Sequence, residues 1–199
     1  MNLFGADPNA NILPYDGEAY YHGSIFTRYE CELFMLSMLD EMPWQHEETV
    51  MFGKRIITAR KVAWFADAGI SYAYSGTVKR ANTWTELLLG LKIAAERCTG
   101  ATYNSCLINL YHNGSEGMGW HSDDEKSIAA ESSIASLSFG AERKFSFKHK
   151  VTKETLSIIL ENGSLLDMRG DIQRHWQHQL PKTKRVVEPR VNLTFRRMS

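Results

Sequence analysis

The triplet His121-Ser122-Asp123 and the histidine of Gln177-His178-Gln179 are the residues of this chain best suited to hold a metal ion. On a strand, residues i and i+2 project to the same side, so His121 and Asp123 offer an imidazole and a carboxylate to one point. A third ligand from a distant strand, His178, completes a face of two histidines and one carboxylate. That set is the facial triad of non-haem iron(II) oxygenases, which leaves three positions open for other ligands. His175 lies near enough in sequence to be a rival third ligand. With seven histidines in the chain, an H-x-D triplet arises by chance, so the triplet alone does not select this chemistry. A zinc hydrolase would use the same residue types, but no general base accompanies the ligands on their segment.

A second group stands near the C-terminus. In Arg190-Val191-Asn192-Leu193-Thr194-Phe195-Arg196 the apolar residues take one face of a strand, and Arg190, Asn192, Thr194 and Arg196 take the other. If that polar face looks into a barrel, its natural occupant is a dicarboxylate. Guanidinium grips carboxylate bidentately, and a buried arginine without a partner is costly. The plainer reading is an edge strand with a solvated polar face, and it leaves the two arginines without a task. Leu107-Ile108-Asn109-Leu110-Tyr111 similarly puts Asn109 and Tyr111 on one face, two groups able to donate to a carboxylate.

Such groups need strands to aim them. Period-two alternation marks strands at residues 106 to 111, 134 to 139, 144 to 148, 155 to 160 and 191 to 195, with turns at Glu161-Asn162-Gly163 and Met168-Arg169-Gly170-Asp171. Residues 50 to 76 read as short strands around turns, with Phe52-Gly53-Lys54 a tight loop. Two helices open with capping boxes, Thr27-Arg28-Tyr29-Glu30 for a run to about Met42 and Thr83-Trp84-Thr85-Glu86 for one ending near Gly100. Many short strands behind two helices predict an α+β, mainly β fold, a barrel or jelly roll with helical buttresses. The first 20 or so residues read as a loosely held arm.

The chain has 199 residues, 43% of them hydrophobic, which suits one soluble domain with a real core. It carries no apolar run near the roughly 20 residues of a membrane helix. Met1 to Asp7 lack the features of a secretory leader, which predicts an intracellular protein. Cys31, Cys98 and Cys106 are odd in number and lack C-x-x-C spacing, which excludes a disulfide framework or a zinc knuckle. Net charge is zero but unevenly spread. Residues 1 to 50 hold nine acids and one base, whereas residues 51 to 199 hold 22 bases and 14 acids. A phosphate-binding face needs local excess of this kind rather than a global one.

Taken together, Asn109-Leu110-Tyr111, His121-Ser122-Asp123-Asp124-Glu125, Ile134 to Gly140, Gly163-Ser164-Leu165-Leu166 and Pro189 to Arg196 strongly resemble the AlkB family of iron(II)- and 2-oxoglutarate-dependent dioxygenases. The resemblance covers residues 50 to 198 in consistent order. It implies a double-stranded β-helix, or jelly roll, with residues 101 to 199 as dioxygenase core, 51 to 100 as base lid and second helix, and 1 to 50 as arm and first helix. It implies iron(II) on His121, Asp123 and His178, with His178 preferred over His175. Asn109, Tyr111, Arg190, Asn192 and Arg196 would then hold 2-oxoglutarate, and dioxygen would be the third cosubstrate.

The same resemblance implies oxidative demethylation of bases such as 1-methyladenine or 3-methylcytosine in DNA, releasing formaldehyde, succinate and carbon dioxide. RNA or protein substrates, or an inactive nucleic-acid-binding relative, are the alternatives. A monomer is expected, in the cytoplasm of a bacterium or the nucleus of a eukaryote. Extruding a base costs a few kcal/mol, less where methylation has already broken its pairing. Tyr72 and Tyr74, on one face of a lid-like strand, would stack the cationic methylated base, although two core tyrosines would give the same pattern. Asp124 and Glu125 would attract that base or read its exocyclic amine. Phe52, in Met51-Phe52-Gly53-Lys54, resembles the aromatic wedge of the duplex-active relatives, with Arg60 among the basic residues that would meet phosphates.

Overall fold

Alternation along each strand decides which residues meet the helices and which meet the second sheet. The computed structural model describes the backbone of residues 7–51, 54–74, 77–130 and 132–199, and their side chains apart from 47–56 and 71–80. The elements run β1 (Glu18–Ser24), α1 (Arg28–Glu41), β2 (Gln45–Met51), β3 (Lys54–Ala66), β4 (Ser71–Tyr74), β5 (Thr77–Arg80), α2 (Glu86–Thr99) and β6 (Ser105–Tyr111). They continue with β7 (Met118–His121), β8 (Ile134–Gly140), β9 (Arg143–His149), β10 (Thr155–Leu160), β11 (Ser164–Arg169), α3 (Ile172–His175), β12 (Trp176–Leu180) and β13 (Arg190–Arg196).

Seven strands form one antiparallel sheet in the order β1-β11-β8-β13-β6-β3-β2, and four form a second in the order β10-β9-β12-β7. Val191, Leu193 and Phe195 of β13 turn outward with Leu137 and Phe139 of β8 and Ile108 of β6, and pack on Met38 of α1 and Leu88 and Leu91 of α2. A helix of 14 residues is marginal alone in water, so this packing is what holds α1 and α2. Each fully buried leucine or phenylalanine there contributes about 1.5 to 3 kcal/mol. On the inner side, Ile134, Leu166 and Met168 join Phe145, Phe147 and Leu180 of the smaller sheet. The result is a jelly roll of two sheets, buttressed by two helices on the outer face of the larger one.

The strands expected from alternation are all present. The Thr27 capping box is formed, with Thr27 accepting from the Glu30 amide and Glu30 accepting from the Thr27 amide. Four expectations change. The second helix is capped by Thr85, whose hydroxyl accepts from the Leu88 amide, and not by Thr83. Trp84 instead stacks on Phe195 and donates to Asp67, which keeps the preceding residues outside the helix. Residues 54 to 66 form one long strand rather than several short ones. From Asn11 onward the arm is also firmly seated: Asn11 Oδ1 accepts from the Leu13 and Ala19 amides, Leu13 is buried, and β1 pairs with β11. β11 itself runs on through Arg169, so the expected turn at 168 to 171 is confined to Gly170 and Asp171.

Candidate metal and cosubstrate site

The cavity between the sheets is about 1110 Å3. At one end β12 and β7 pair with His178 directly across from His121, so the two imidazoles come from facing strands. Their ring centroids lie 4.2 Å apart. Asp123, two residues past His121, brings its Oδ1 to 3.8 Å from His121 Nε2. One ligand atom from each of His121, Asp123 and His178 lies within 4.8 Å of the others. His175 is not in this group; it ends α3 and stands with Asp16 and His149.

The donors are in the state that a cation needs. His121 Nδ1–H donates to Gly119 O at 2.9 Å, which leaves the Nε2 lone pair facing Asp123. His178 is buried and stacks on Phe145, its ring makes no hydrogen bond among the described residues, and burial pushes its imidazole down to about 3 against the pull of Asp123. It is therefore neutral at ordinary pH. Burial works to raise the Asp123 carboxyl, but the Arg196 guanidinium, with the two histidines facing it, holds it at about 2. Arg196 Nη2 donates to Asp123 Oδ2 at 2.8 Å, so one oxygen is anchored and the other faces the histidines. Gln173 Oε1 accepts from the Asp123 amide at 2.8 Å and fixes the loop that carries it. Two facing imidazoles, that of His178 neutral, and an ionised carboxylate fit a divalent iron ion.

Away from this group, β13 turns Arg190, Asn192, Thr194 and Arg196 into the cavity. Arg190 is 2% exposed, donates through Nη2 to Ser138 Oγ at 2.9 Å and lies over the Tyr111 ring. Its Nε has no hydrogen-bond partner, and no carboxylate of the described residues pairs with it. Burial, reinforced by the charge of Arg143, pushes the guanidinium down to about 10. Such a cation calls for an anionic ligand, and the second carboxylate of 2-oxoglutarate fits it. Asn109 Oδ1 accepts from Arg60 Nε at 3.2 Å, which turns its free amide nitrogen elsewhere. The Asn192 amide nitrogen donates to Ser136 Oγ and Leu137 O, so it is committed to the sheet before any ligand enters.

Glu125, two residues after Asp123, also lines the cavity, with a buried Oε2 that has no hydrogen-bond partner among the described residues, whereas Asp124 is exposed. Tyr72 and Tyr74 lie two apart on β4, paired with Lys79 and Thr77 of β5; only their backbone is described. Phe52 lies outside the described residues. Arg143, a basic residue, is 2% exposed and donates to the carbonyls of Glu116 and Pro181 at 2.9 Å. Its parity with Phe145 and Phe147 along β9 is the signal that could have placed it inside. Gln173 and Ser138 carried no such signal, because their contacts come from distant parts of the chain.

Comparison with known proteins agrees with this geometry. The family model described as the 2OG-Fe(II) oxygenase superfamily matches residues 18–196. The mouse protein named DNA oxidative demethylase ALKBH2 is 41% identical over 156 residues, covering 74% of this chain and 65% of that protein. The human protein named alpha-ketoglutarate-dependent dioxygenase alkB homolog 3 is 37% identical over 177 residues, covering 84% of this chain and 61% of that one. The chain thus spans under two thirds of the length of these relatives. The solved structure of OsALKBH1 superposes with a TM-score of 0.65 at 14% identity, covering 93% of this chain and 98% of that one, and shows the same fold. The resemblance drawn from the motifs is borne out: the chain belongs to the 2OG-Fe(II) oxygenase superfamily, within its AlkB family.

Proposed function

We propose that this protein removes alkyl groups from bases in DNA by iron(II)- and 2-oxoglutarate-dependent oxidation. The observation that carries the reading is a buried, anion-seeking Arg190 in the same cavity as the two facing histidines and the ionised aspartate. His121, Asp123 and His178 would hold iron(II). Arg190 would take the distal carboxylate of 2-oxoglutarate, with Tyr111 and Asn109 beside it, and Arg196 would steady Asp123. Iron(II) with 2-oxoglutarate and dioxygen supplies, when bound, the oxidising power to hydroxylate a methyl group. A hydroxymethyl group on a base nitrogen then leaves as formaldehyde, restoring the base.

The protein's share is to position and to exclude water. A cavity of about 1110 Å3 exceeds the range of about 300 to 1000 Å3 that holds an ordinary small ligand, and so has room for an extruded base beside the cosubstrate. Glu125, with its partnerless carboxylate oxygen in the wall, suits a base made cationic by methylation. The β4–β5 hairpin would close over that base as a lid, with Tyr72 and Tyr74 stacking on it, and the exposed Asp124 would meet the nucleic acid, whereas Arg60, expected to meet phosphates, is 9% exposed and donates to Asn109 inside the cavity. The mouse relative bears a name that specifies DNA demethylation, which favours DNA over RNA. A monomer located where the cell keeps its DNA fits this role.

The test is formaldehyde release from DNA carrying 1-methyladenine or 3-methylcytosine, with and without iron(II) and 2-oxoglutarate. Release should need both and vanish in His178→Ala. Cosubstrate turnover with untouched bases would redirect the search to RNA and protein substrates. For strand preference, Phe52→Ala should lower turnover of duplex substrate more than of single strands, because an apolar wedge matters only where a stack must be held open. Equal losses on both would remove Phe52 from that role.

A further inference from the structure

A second cluster of metal-binding side chains lies outside the cavity, where the N-terminal arm meets the ends of β9 and α3. One ligand atom from each of Asp16, His149 and His175 lies within 4.8 Å of the others. His149 is 3% exposed, and its Nε2 makes no hydrogen bond. Asp16 Oδ2 is 3.3 Å from that nitrogen, yet off the direction in which it would donate. Two ligands of one zinc-sized ion stand about 3.4 Å apart, with bonds of roughly 2.0 to 2.2 Å converging at a tetrahedral angle. The spacing and the misalignment are those of co-ligands rather than of a hydrogen-bonded pair.

We infer that Asp16, His149 and His175 form a binding site for a zinc-type divalent cation, separate from the catalytic centre. The other side of His149 is prepared for this. Its Nδ1 lies 3.0 Å from Thr152 Oγ1, which is 2.9 Å from the Tyr15 hydroxyl, which donates to Glu154 Oε2 at 2.7 Å. With a cation on Nε2 the ring proton sits on Nδ1 and donates to Thr152, and the chain of hydroxyls ends on a carboxylate, the kind of outer support that metal-bound histidines commonly have. Without a cation, Nδ1 accepts from the Thr152 amide at 3.1 Å and the proton moves to Nε2. Binding thus needs a change of tautomer that exchanges the Thr152 amide's bond to Nδ1 for one from Nδ1–H to the Thr152 hydroxyl, with no loss of a proton from the ring.

Asp16 is delivered to the cluster by a left-handed residue, φ +53°, followed by Gly17, where a Cβ would stand 2.8 Å from Ile172 Cα at the start of α3. His175 stacks parallel to His149, with centroids 6.3 Å apart. A water would complete four-coordination. The ion would fasten the arm to β9 and to the helical turn that opens β12, three residues before His178. Its role is structural, and it gives His175 a task that the cavity does not.

The experiment counts zinc bound to the full-length chain by equilibrium dialysis, since the catalytic ligands also accept zinc. The wild type should bind two ions, the His121→Ala/His178→Ala variant one, and the wild type carrying either His175→Gln or Asp16→Asn one. Zinc at about 100 times its dissociation constant should raise the melting temperature of His121→Ala/His178→Ala by about 5 to 10 °C, a shift that disappears when His175→Gln is added. If the double variant does not fold, the comparison of wild type with His175→Gln carries the same count. A single ion in the wild type, or two ions retained in His175→Gln, would overturn the site and leave an ordinary aspartate–histidine contact.

Discussion

Arg190 and Arg196 face the same cavity from one strand, and their surroundings assign them different work. Arg196 already has a carboxylate, Asp123, at 2.8 Å, and what it does for the site passes through that residue. Among the described residues, Arg190 has only a serine hydroxyl and the face of Tyr111. Replacing Arg190 with methionine therefore acts in opposite directions on stability and on binding. The ligand-free protein loses a desolvated charge, and its melting temperature should rise, by about 2 to 4 °C for each kcal/mol recovered. Each charge-assisted hydrogen bond lost to 2-oxoglutarate is worth about 1.5 to 3 kcal/mol, so affinity should fall by roughly 10- to 150-fold. Calorimetric titration and thermal melting of the same variant check both. A lower melting temperature without ligand would mean that the serine bond outweighs the buried charge. The sequence showed which residues of this strand share a face. It did not show that one arginine would be tied to Asp123, because that contact depends on how β13 and the loop after β7 converge.

Turns decide whether the strands deliver those residues, and Gly163 is a sharp case. It joins β10 to β11 at φ +76°, and a Cβ there would come 2.5 Å from Cys31 Sγ on α1 and 2.7 Å from Ser24 Oγ on β1. Gly163→Ala thus meets a left-handed backbone and two close neighbours together, at about 1 to 2 kcal/mol for the first and about 1 to 3 for the second. The expected result is a fall in melting temperature of roughly 4 °C or more, read by circular dichroism. No change would mean that α1 gives way freely. The sequence marked this turn through Glu161-Asn162-Gly163, but not what crowds it. β1 went unread because Glu18-Ala19-Tyr20-Tyr21-His22-Gly23-Ser24 does not alternate cleanly, and its register against β11 shifts between Tyr21 and Gly23. The second helix was placed two residues early because Thr83 and Thr85 both look like caps, and only the packing of Trp84 separates them.

The uneven charge of the chain acquires a direction once the sheets are in place. α1, with Glu30, Glu32, Asp40 and Glu41, lies on the outer face of the larger sheet, away from the cavity. Lys182 lines the cavity, and Lys148 covers the ring of Trp120, which also lines it. Under the proposed function, a DNA strand approaching the cavity would meet Lys148 and Lys182, while the acids of α1 sit across the larger sheet. Charges separated by more than a Debye length of about 10 Å at 0.1 M salt scarcely feel each other. DNA binding should therefore weaken with salt in proportion to the phosphates neutralised, each adding about 0.9 to the slope of log affinity against log salt. Lys182→Glu should lower that slope by about 1, and Glu41→Lys, on the far helix, should leave it unchanged. Fluorescence anisotropy with a methylated oligonucleotide between 50 and 200 mM salt measures both, at concentrations spanning the range in which the effect is steep. If Glu41→Lys steepens the slope as much as Lys182→Glu flattens it, the nucleic acid does not enter from the cavity side and the charge split has another purpose.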